Sequence, residues 1–476
     1  MDQIGGAQVD QFGKTAGVVA RVRAMVQDGT LMAGDAVPST RVLAAELGVA
    51  RGTVVAAYEQ LDGEGWIRTR QGAVARVAAG VGAGHWPTEH AARDATGRTH
   101  GHADGAAGTG ADLLDARPGI PAVTAIAARD WRAAWRAAAD APLRNALSDP
   151  AGLPELRAQI AAQLGLARGF APEIGRIVVT AGTAEALSLV TEGLRNRLGR
   201  APVVAVEDPG YRSGRRAMTS AGATLVGVPV DGDGIDVDVL GRVGPVDAVV
   251  VTPTHQYPLG SVMPVARRLR LLDWATRTGA VVVEDDYDSE FRHRGSPVPA
   301  LAALDATGVV VHVGGFSKTL DPRLRCSYVV LPPGPVLEAV VASRLARGPV
   351  VAEPVQVALA HLLRTGALRR HLGRVRRDYT HRRERVATRV AAVAGLEARA
   401  LDGGLHAVLT WSGRAAGHDV VARMARSGVL VSALEEYEVS PGSAPAGIVL
   451  GYGALTLPQL DRALDVLLEV LPVRGY

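Results

Sequence analysis

A single cysteine, Cys326, excludes an internal disulfide, and one thiol cannot build a zinc or iron–sulfur centre. No apolar run approaches the ~18 residues a membrane-crossing helix needs, and Ala248–Val251 is typical of the longer ones. The opening Met1-Asp2-Gln3 is acidic and lacks the basic and apolar regions of a secretion signal. A cytoplasmic protein with no membrane partner is expected. Net charge is also low, +4 over 476 residues, so charge alone says little about nucleic acid. Lysine is the scarcest cation: of 52 basic residues only Lys14 and Lys318 are lysines, leaving 50 arginines. Arginine replaces lysine as a surface cation, but its very high pKa bars it from forming a Schiff base. Lys318 is therefore conspicuous.

What is present suffices for two or three domains at roughly 100–200 residues each. A composition of 47% hydrophobic and 21% charged residues excludes wholesale disorder. Residues 1–79 read as one compact segment. Residues 80–112 are rich in Gly, Ala, Thr and His without periodicity, and read as an interdomain linker. Its four histidines are irregularly spaced and lack partner cysteines, so no metal site is expected. From 113 to 476 short β-rich runs alternate with helical patterns, with strands predicted near 176–180, 203–207, 248–252, 280–285, 309–313 and 327–331. That alternation argues for an α/β domain with a mostly parallel central sheet.

In the first segment Ser39 can cap a helix carrying Leu43 and Leu47, which Gly48 stops. After the short turn 49–51, Val54, Ala57, Tyr58 and Leu61 form one buried stripe on a second helix. Two helices on a tight turn, followed by a hairpin over 65–77, give a winged helix-turn-helix, mainly α with a β wing. The second helix would present Arg51, Gly52 and Thr53 at its N-terminal end, where bases and phosphates are touched. Charge does not decide between this and an ordinary helical domain, because residues 1–79 hold eight acidic and eight basic residues. The run GDAVPSTRVLAAELGVARGTVVAAYEQLDGEGWIRTRQG closely resembles the DNA-binding domain of GntR-type transcription regulators. The resemblance covers nearly all of 15–78 and implies that Ser39, Thr40, Arg41, Arg51, Gly52, Thr53 and the wing around Gly72 face a double-stranded operator.

In the large segment, GGFSKTLDPRLRCSYVVLP (314–332) places Lys318 after a strand and Arg325 seven residues on. A lysine for an imine and an arginine for a phosphate suit a cofactor bearing both an aldehyde and a phosphate. Upstream, VVVEDDYDSEF sets Asp285 at a strand's carboxyl end, where a buried carboxylate keeps a pyridine nitrogen protonated. The strand at 177–180 runs through Gly182, Thr183 and Ala184 into a helix, offering amides for phosphate. EDPGY ends in Tyr211, an aromatic able to stack on a flat ring. Each element alone is weak, but four in order with the isolated lysine in the right one are strong.

Over roughly 113–475 the arrangement resembles fold-type-I aminotransferases, and the joined architecture looks like the MocR-type subfamily of GntR regulators. Its landmarks are DPAG (149–152), VTAGTAEAL (179–187), EDPGY (207–211), TPTHQYPLG (252–260), EDDYDSEFR (284–292), FSKTL (316–320), GGLH (403–406) and LGYGALT (450–456). The resemblance implies pyridoxal 5'-phosphate as cofactor, with Lys318 as the Schiff-base lysine. It further implies Asp285 on the pyridine nitrogen, Tyr287 on the ring hydroxyl and Tyr211 stacked on the ring. Arg325 and the amides of Gly182, Thr183 and Ala184 would hold the phosphate, and a homodimer is implied as well.

The departures from that pattern are specific. Tyr257 stands where aminotransferases carry an asparagine, leaving His255 or Gln256 to take over its hydrogen bond. Gly315 replaces a phosphate-binding Ser or Thr, with Ser317 as its neighbour. Leu147 replaces a tyrosine that reaches the partner subunit. Val449 occupies the place of the arginine that binds a substrate carboxylate, so Arg212 or Arg215 would have to substitute. His406 is expected to wall the ligand cleft, and Cys326 to be a small buried residue. The arginine-rich stretch 364–385 reads as one long helix with a buried face, rather than a second DNA contact.

Three functions follow as alternatives. The chain is a regulator sensing a small-molecule effector, either pyridoxal phosphate itself or an amine or amino acid. Otherwise it is a working aminotransferase with a DNA-binding appendage, or a ligand-binding regulator that has lost the cofactor. The missing substrate anchors favour the first, which need not complete a transamination and is expected not to be an enzyme.

Overall fold

The computed structural model describes residues 14–15, 17–26, 30–63, 66–69, 74–78, 113–292, 299–412 and 415–471. The proposed linker, with its histidines, and Gly72 lie outside the described residues. A helix through 17–26 turns Val18, Val19, Val22 and Val26 inward. Helix α1 (Thr40–Leu47) opens on Ser39, whose hydroxyl accepts from the Val42 amide, and closes on Gly48 in the left-handed region at φ 62°. Helix α2 (Arg51–Gly63) buries the expected stripe of Val54, Ala57, Tyr58 and Leu61. Full burial of such side chains contributes roughly 1.5–3 kcal/mol each. The wing pairs Ile67–Arg68 antiparallel with Arg76–Val77. The same apolar cluster takes in Val265, with Ala266, Leu269 and Leu304 packed at its edge, so this unit rests on the large domain.

The large domain is built on an eight-stranded sheet. Its strands are β1 (Ile177–Thr180), β2 (Val203–Asp208), β3 (Thr224–Asp231), β4 (Gly234–Ile235), β5 (Ala248–Val251), β6 (Val281–Asp286), β7 (Val310–Gly315) and β8 (Ser327–Val330). They lie in the order β1-β8-β7-β6-β5-β2-β3-β4. Only β8 and the short β4 run against their neighbours, so the core of the sheet is parallel. All six predicted strands are found within a residue or two. Strand β3 gave no sequence signal because Gly227 and Pro229 interrupt its apolar alternation, and only Val228 of it is buried. Gly227 packs tightly there: a Cβ would stand 3.0 Å from the Asp208 carboxylate and from Val439, both of which would have to give.

A second sheet, Leu396–Arg399, His406–Trp411, Gly447–Gly451 and Ser432–Ala433 in that order, covers one side of the cleft. The arginine-rich stretch is two helices rather than one. Glu353–Arg364 ends at Thr365, and Gly366, left-handed at φ 68°, starts Ala367–Ala391. The second helix has the predicted buried face, with Leu368, Leu372, Val375 and Tyr379 inward, while Arg385 and Arg389 pair with Asp461 and Asp465. Cys326 is buried, and burial pushes its thiol up to about 12. No helix among the described residues is long and apolar enough to cross a membrane.

Candidate functional site

The segments leaving the carboxyl ends of β1, β2, β5, β6 and β7 converge on one cleft of about 510 Å³, as expected of an open α/β sheet. At one end, β1 runs through Gly182 into helix α3 (Thr183–Leu198), whose first two residues line the cavity. Arg325, held left-handed at φ 46°, donates from Nη2 to the Ala181 carbonyl at 2.9 Å. Gly182 sits at φ 98°, and a Cβ there would come within 3.2 Å of that guanidinium. A helix N-terminus and an arginine fork thus address one point, which suits a phosphate. Gly315 is closely packed: a Cβ there would lie 2.3 Å from Ser327 Oγ, which leaves no room for a larger residue unless Ser327 turns away. Ser317, beside the lysine, lines the cleft instead.

At the floor, alternation along β6 sends neighbouring carboxyls to opposite faces. Glu284 accepts from the Leu301 amide at 2.6 Å and pairs with His312 Nδ1 at 2.9 Å, and Asp286 pairs with buried Arg168 at 2.6 Å. Asp285 faces the cleft. It is 4% exposed, and its Oδ1 has no hydrogen-bond partner among the described residues. Burial, reinforced by Asp286 and Glu207, pushes its carboxyl up to about 8. Burial also lowers the Lys318 amine from its usual range, against the pull of Asp285 and Asp288. Lys318 Nζ donates to the Gly119 carbonyl at 2.8 Å. Burial thus biases the floor carboxyl toward its protonated form and the Lys318 amine toward its neutral one.

The sign of the linkage follows from that shift. Between the unfolded carboxyl value near 4 and the folded value of about 8, the native protein holds a proton that the unfolded chain releases. Stability of the cofactor-free protein is expected to fall as pH rises through this window, with Glu207 adding in the same direction at about 7. Asp285→Asn should flatten the fall, as read by melting temperature from about pH 5 to about pH 8.5. An unchanged slope in the variant would contradict the placement of that proton.

The far wall is aromatic. Tyr211, Tyr257, Tyr287 and Tyr437, four of nine tyrosines, line the cleft together with His406. Tyr257 meets Tyr211, Tyr287 and Tyr437 edge-on, with ring centroids 6.2, 5.4 and 5.4 Å away. Val449 is fully buried in the second sheet between Val408 and Ser432 and is not among the residues that line the cleft. Of the two proposed substitute cations, Arg212 lines the cleft but is ion-paired with Glu436 across its mouth. Arg215 does not line it. Its guanidinium is committed to the carbonyls of Gly210, Tyr437 and Glu438, at 2.7, 2.6 and 2.9 Å.

Neither residue proposed to replace the lost asparagine reaches the cleft lining. Gln256 is fully buried and bonds Glu207, Pro209 and its neighbour Tyr257. His255 lies beneath Tyr287. His406 is on the wall as expected, its Nε2–H donating to the Pro258 carbonyl 3.0 Å away. Leu147 is 87% exposed and takes no part. Sequence reasoning missed the strap Arg117-Pro118-Gly119-Ile120 and the Glu436–Tyr437 pair, all of which line the cleft. The Pro-Gly turn just after the linker was the available signal for the strap. Nothing local marks Glu436.

In the N-terminal unit, Ser39, Arg41, Arg51 and Gly52 are exposed where the two helices begin, with Thr40 partly so. Arg51 Nε donates to Thr40 Oγ1 at 3.3 Å, tying the two helix starts together. Thr53 departs from expectation. It is 2% exposed, on the buried stripe with Val54, so its side chain is not available to DNA.

The family described as aminotransferase class I and II matches residues 116–467, and that of the bacterial regulatory proteins of the gntR family matches 14–77. The pyridoxine biosynthesis transcriptional regulator PdxR of Corynebacterium glutamicum is 38% identical over 440 residues, covering 91% of this chain and 90% of its own. The probable rhizopine catabolism regulatory protein MocR of Rhizobium meliloti is 35% identical, covering 76% and 74%. Kynurenine aminotransferase of Pyrococcus horikoshii shares the fold at a TM-score of 0.67 and 24% identity, over 76% of this chain and 91% of that one. An archaeal alanine:glyoxylate aminotransferase does so at 0.70 and 23%, with the same coverage.

The molecule is thus a GntR-type helix-turn-helix joined to a fold-type-I aminotransferase domain, an architecture whose enzyme branch is pyridoxal-phosphate-dependent. The chain belongs to the MocR subfamily of GntR regulators, and it is a transcription regulator that binds DNA through its N-terminal domain.

Proposed function

We propose that the aminotransferase-like domain binds pyridoxal 5'-phosphate at Lys318 and that the bound cofactor is itself the signal passed to DNA. The observation that carries this is the unpartnered Asp285 Oδ1 in the same cleft as the Lys318 amine and the Arg325–Gly182 corner. A pyridine nitrogen, an aldehyde and a phosphate each find a partner in that set. Asp285 would hold the ring nitrogen, Tyr211 the ring face, Tyr287 the ring hydroxyl, and Arg325 with the Gly182–Ala184 amides the phosphate. When bound, the cofactor supplies an electron sink for reactions of amines.

The cleft is less suited to an amino-acid substrate. Val449 offers no charge, Arg212 is paired with Glu436, Arg117 of the strap is paired with Asp115 and Arg215 is committed to backbone, so a carboxylate would have to displace an existing partner. The name of the Corynebacterium relative, a regulator of pyridoxine biosynthesis, supports the same reading. The reading includes a homodimer, supported by Leu143 and Leu147, two large apolar side chains fully or almost fully exposed on the single chain. Residues 80–112 act in it as the linker between sensor and DNA-binding domain.

The test compares cofactor-free and cofactor-loaded protein on DNA fragments recovered by selection in vitro, then adds a panel of amines and amino acids. Loading is expected to change operator affinity by itself. If both forms bind equally and one amine alters binding, the effector is that amine and the cofactor-sensor reading is wrong.

A further inference from the structure

Three of the sequence landmarks meet in a buried cluster behind the cleft wall. TPTHQYPLG contributes His255, EDDYDSEFR contributes Tyr287 and Asp288, and GGLH contributes Gly404. His255 is 3% exposed and Asp288 is 2% exposed. His255 Nδ1 lies 2.8 Å from Asp288 Oδ2 and 2.9 Å from the Tyr287 hydroxyl. The His255 and Tyr287 rings are stacked, 6.1 Å between centroids and 25° apart in plane. Gly404, left-handed at φ 71°, closes the cluster. A Cβ there would stand 2.4 Å from Asp288 Oδ2 and 2.9 Å from His255 Cε1, so only glycine fits.

One ring nitrogen cannot both donate to the carboxylate and accept from the phenol. A bare Nδ1 lone pair set 2.8 Å from a carboxylate oxygen is repulsive, so Nδ1 carries the hydrogen and points it at Asp288. This holds whether or not the ring is charged, since Nε2 has no hydrogen-bond partner among the described residues. With Nδ1 already a donor, the Tyr287 oxygen faces an N–H. Its own hydrogen then has two acceptors in reach, the Asp288 carboxylate, which the His255 N–H already occupies, and a ligand atom in the cleft that Tyr287 lines.

We propose that Asp288 and His255 are positioning residues that make Tyr287 a dedicated donor toward the cleft. The ligand atom it serves is an anionic oxygen, the ring hydroxyl of the cofactor in its deprotonated form. The dyad would offset the loss of the asparagine replaced by Tyr257, by fixing the direction of the one remaining hydrogen bond rather than adding a second. The inference rests on the pyridoxal phosphate reading above.

The experiment measures affinity of the full-length protein for pyridoxal phosphate and for its 3-deoxy analogue, which lacks the ring hydroxyl. Asp288→Asn presents an amide N–H to Nδ1, strips that nitrogen of its hydrogen and turns the phenol hydrogen inward. Its affinity for pyridoxal phosphate is expected to fall on the order of ten-fold, the usual scale for a hydrogen bond to a charged acceptor. Tyr287→Phe should lose as much, and the double variant no more than either single one. Affinity for the analogue should be the same in all of these proteins. His255→Asn, whose amide nitrogen stands where Nδ1 does, should bind as the parent does, whereas His255→Leu should weaken as Asp288→Asn does.

Parent-like binding by Asp288→Asn, multiplicative losses in the double variant, or an equal loss for the analogue each overturn the dyad while leaving the cofactor reading intact. If Asp288→Asn does not fold, the contrast between the two His255 variants decides alone. A parent protein that takes up no pyridoxal phosphate overturns both.

Discussion

Replacing Lys318 by alanine is expected to abolish covalent attachment of pyridoxal phosphate altogether, the largest effect any single substitution in the cleft should have. The parent protein should be yellow, and borohydride reduction should fix the pyridoxyl group on the peptide containing Lys318. The only other lysine, Lys14, lies outside the large domain and serves as an internal control. The variant should still fold, because Lys318 lies outside the apolar core and its Nζ donates to the Gly119 carbonyl alone among the described residues. Residual binding should remain through the Arg325–Gly182 corner and the floor carboxyl Asp285, now reversible and weaker. Removing the buried amine also removes an opposing charge from Asp285, whose carboxyl should then titrate higher than in the parent. Reduction that labels Lys14, or no lysine, would show that the cleft has been assigned to the wrong chemistry. Loss of the cofactor's effect on operator affinity in the same variant would join the chemistry to the regulation.

Arg51→Ala is expected to produce the second large effect, on DNA. Arg51 is exposed at the first turn of α2, with Gly52 beside it and Ser39, Thr40 and Arg41 at the start of α1. A bidentate arginine on a base edge is worth about 1–3 kcal/mol of discrimination, roughly a 5- to 150-fold loss of operator affinity. If Arg51 touches phosphate alone, the loss should be smaller, equal on all sequences, and accompanied by a shallower salt dependence. Gel-shift titrations on selected and scrambled DNA at two salt concentrations separate the two outcomes. Thr53→Ala makes a useful contrast. Its side chain is buried, so it should cost stability in a melting experiment while the folded protein keeps its operator affinity. A dimer binding two half-sites should show the Arg51 loss twice over on a double site, relative to a single half-site.

Much of this molecule is written in short stretches of chain. The helix-turn-helix follows from a cap at Ser39, a left-handed glycine at Gly48 and a helical stripe through Leu61, all interactions between residues a few positions apart. The cofactor-type residues are legible for the same reason. A parallel sheet delivers its carboxyl ends to one edge, so Gly182, Tyr211, Asp285 and Lys318, each just after or at the end of a strand, have to meet. The isolated lysine and the missing anchors at Val449 and Tyr257 were likewise plain in the residues alone.

What each of those groups is free to do was decided only by packing between distant segments. Arg212 and Arg215 are neighbours of the same type near the cleft, yet one pairs with Glu436 and the other is locked onto three carbonyls, partners more than 200 residues away in most cases. Thr53 and Arg51 share one helix turn, and the stripe that buries the first exposes the second. Gly119 meets Lys318 across 199 residues, and His255 meets Asp288 across 33. Local periodicity, capping and strand ends depend on a few consecutive residues and can be read in order. The partner of a buried polar group depends on which remote segment fills the space beside it, and that is set when the two sheets and the strap close around the cleft.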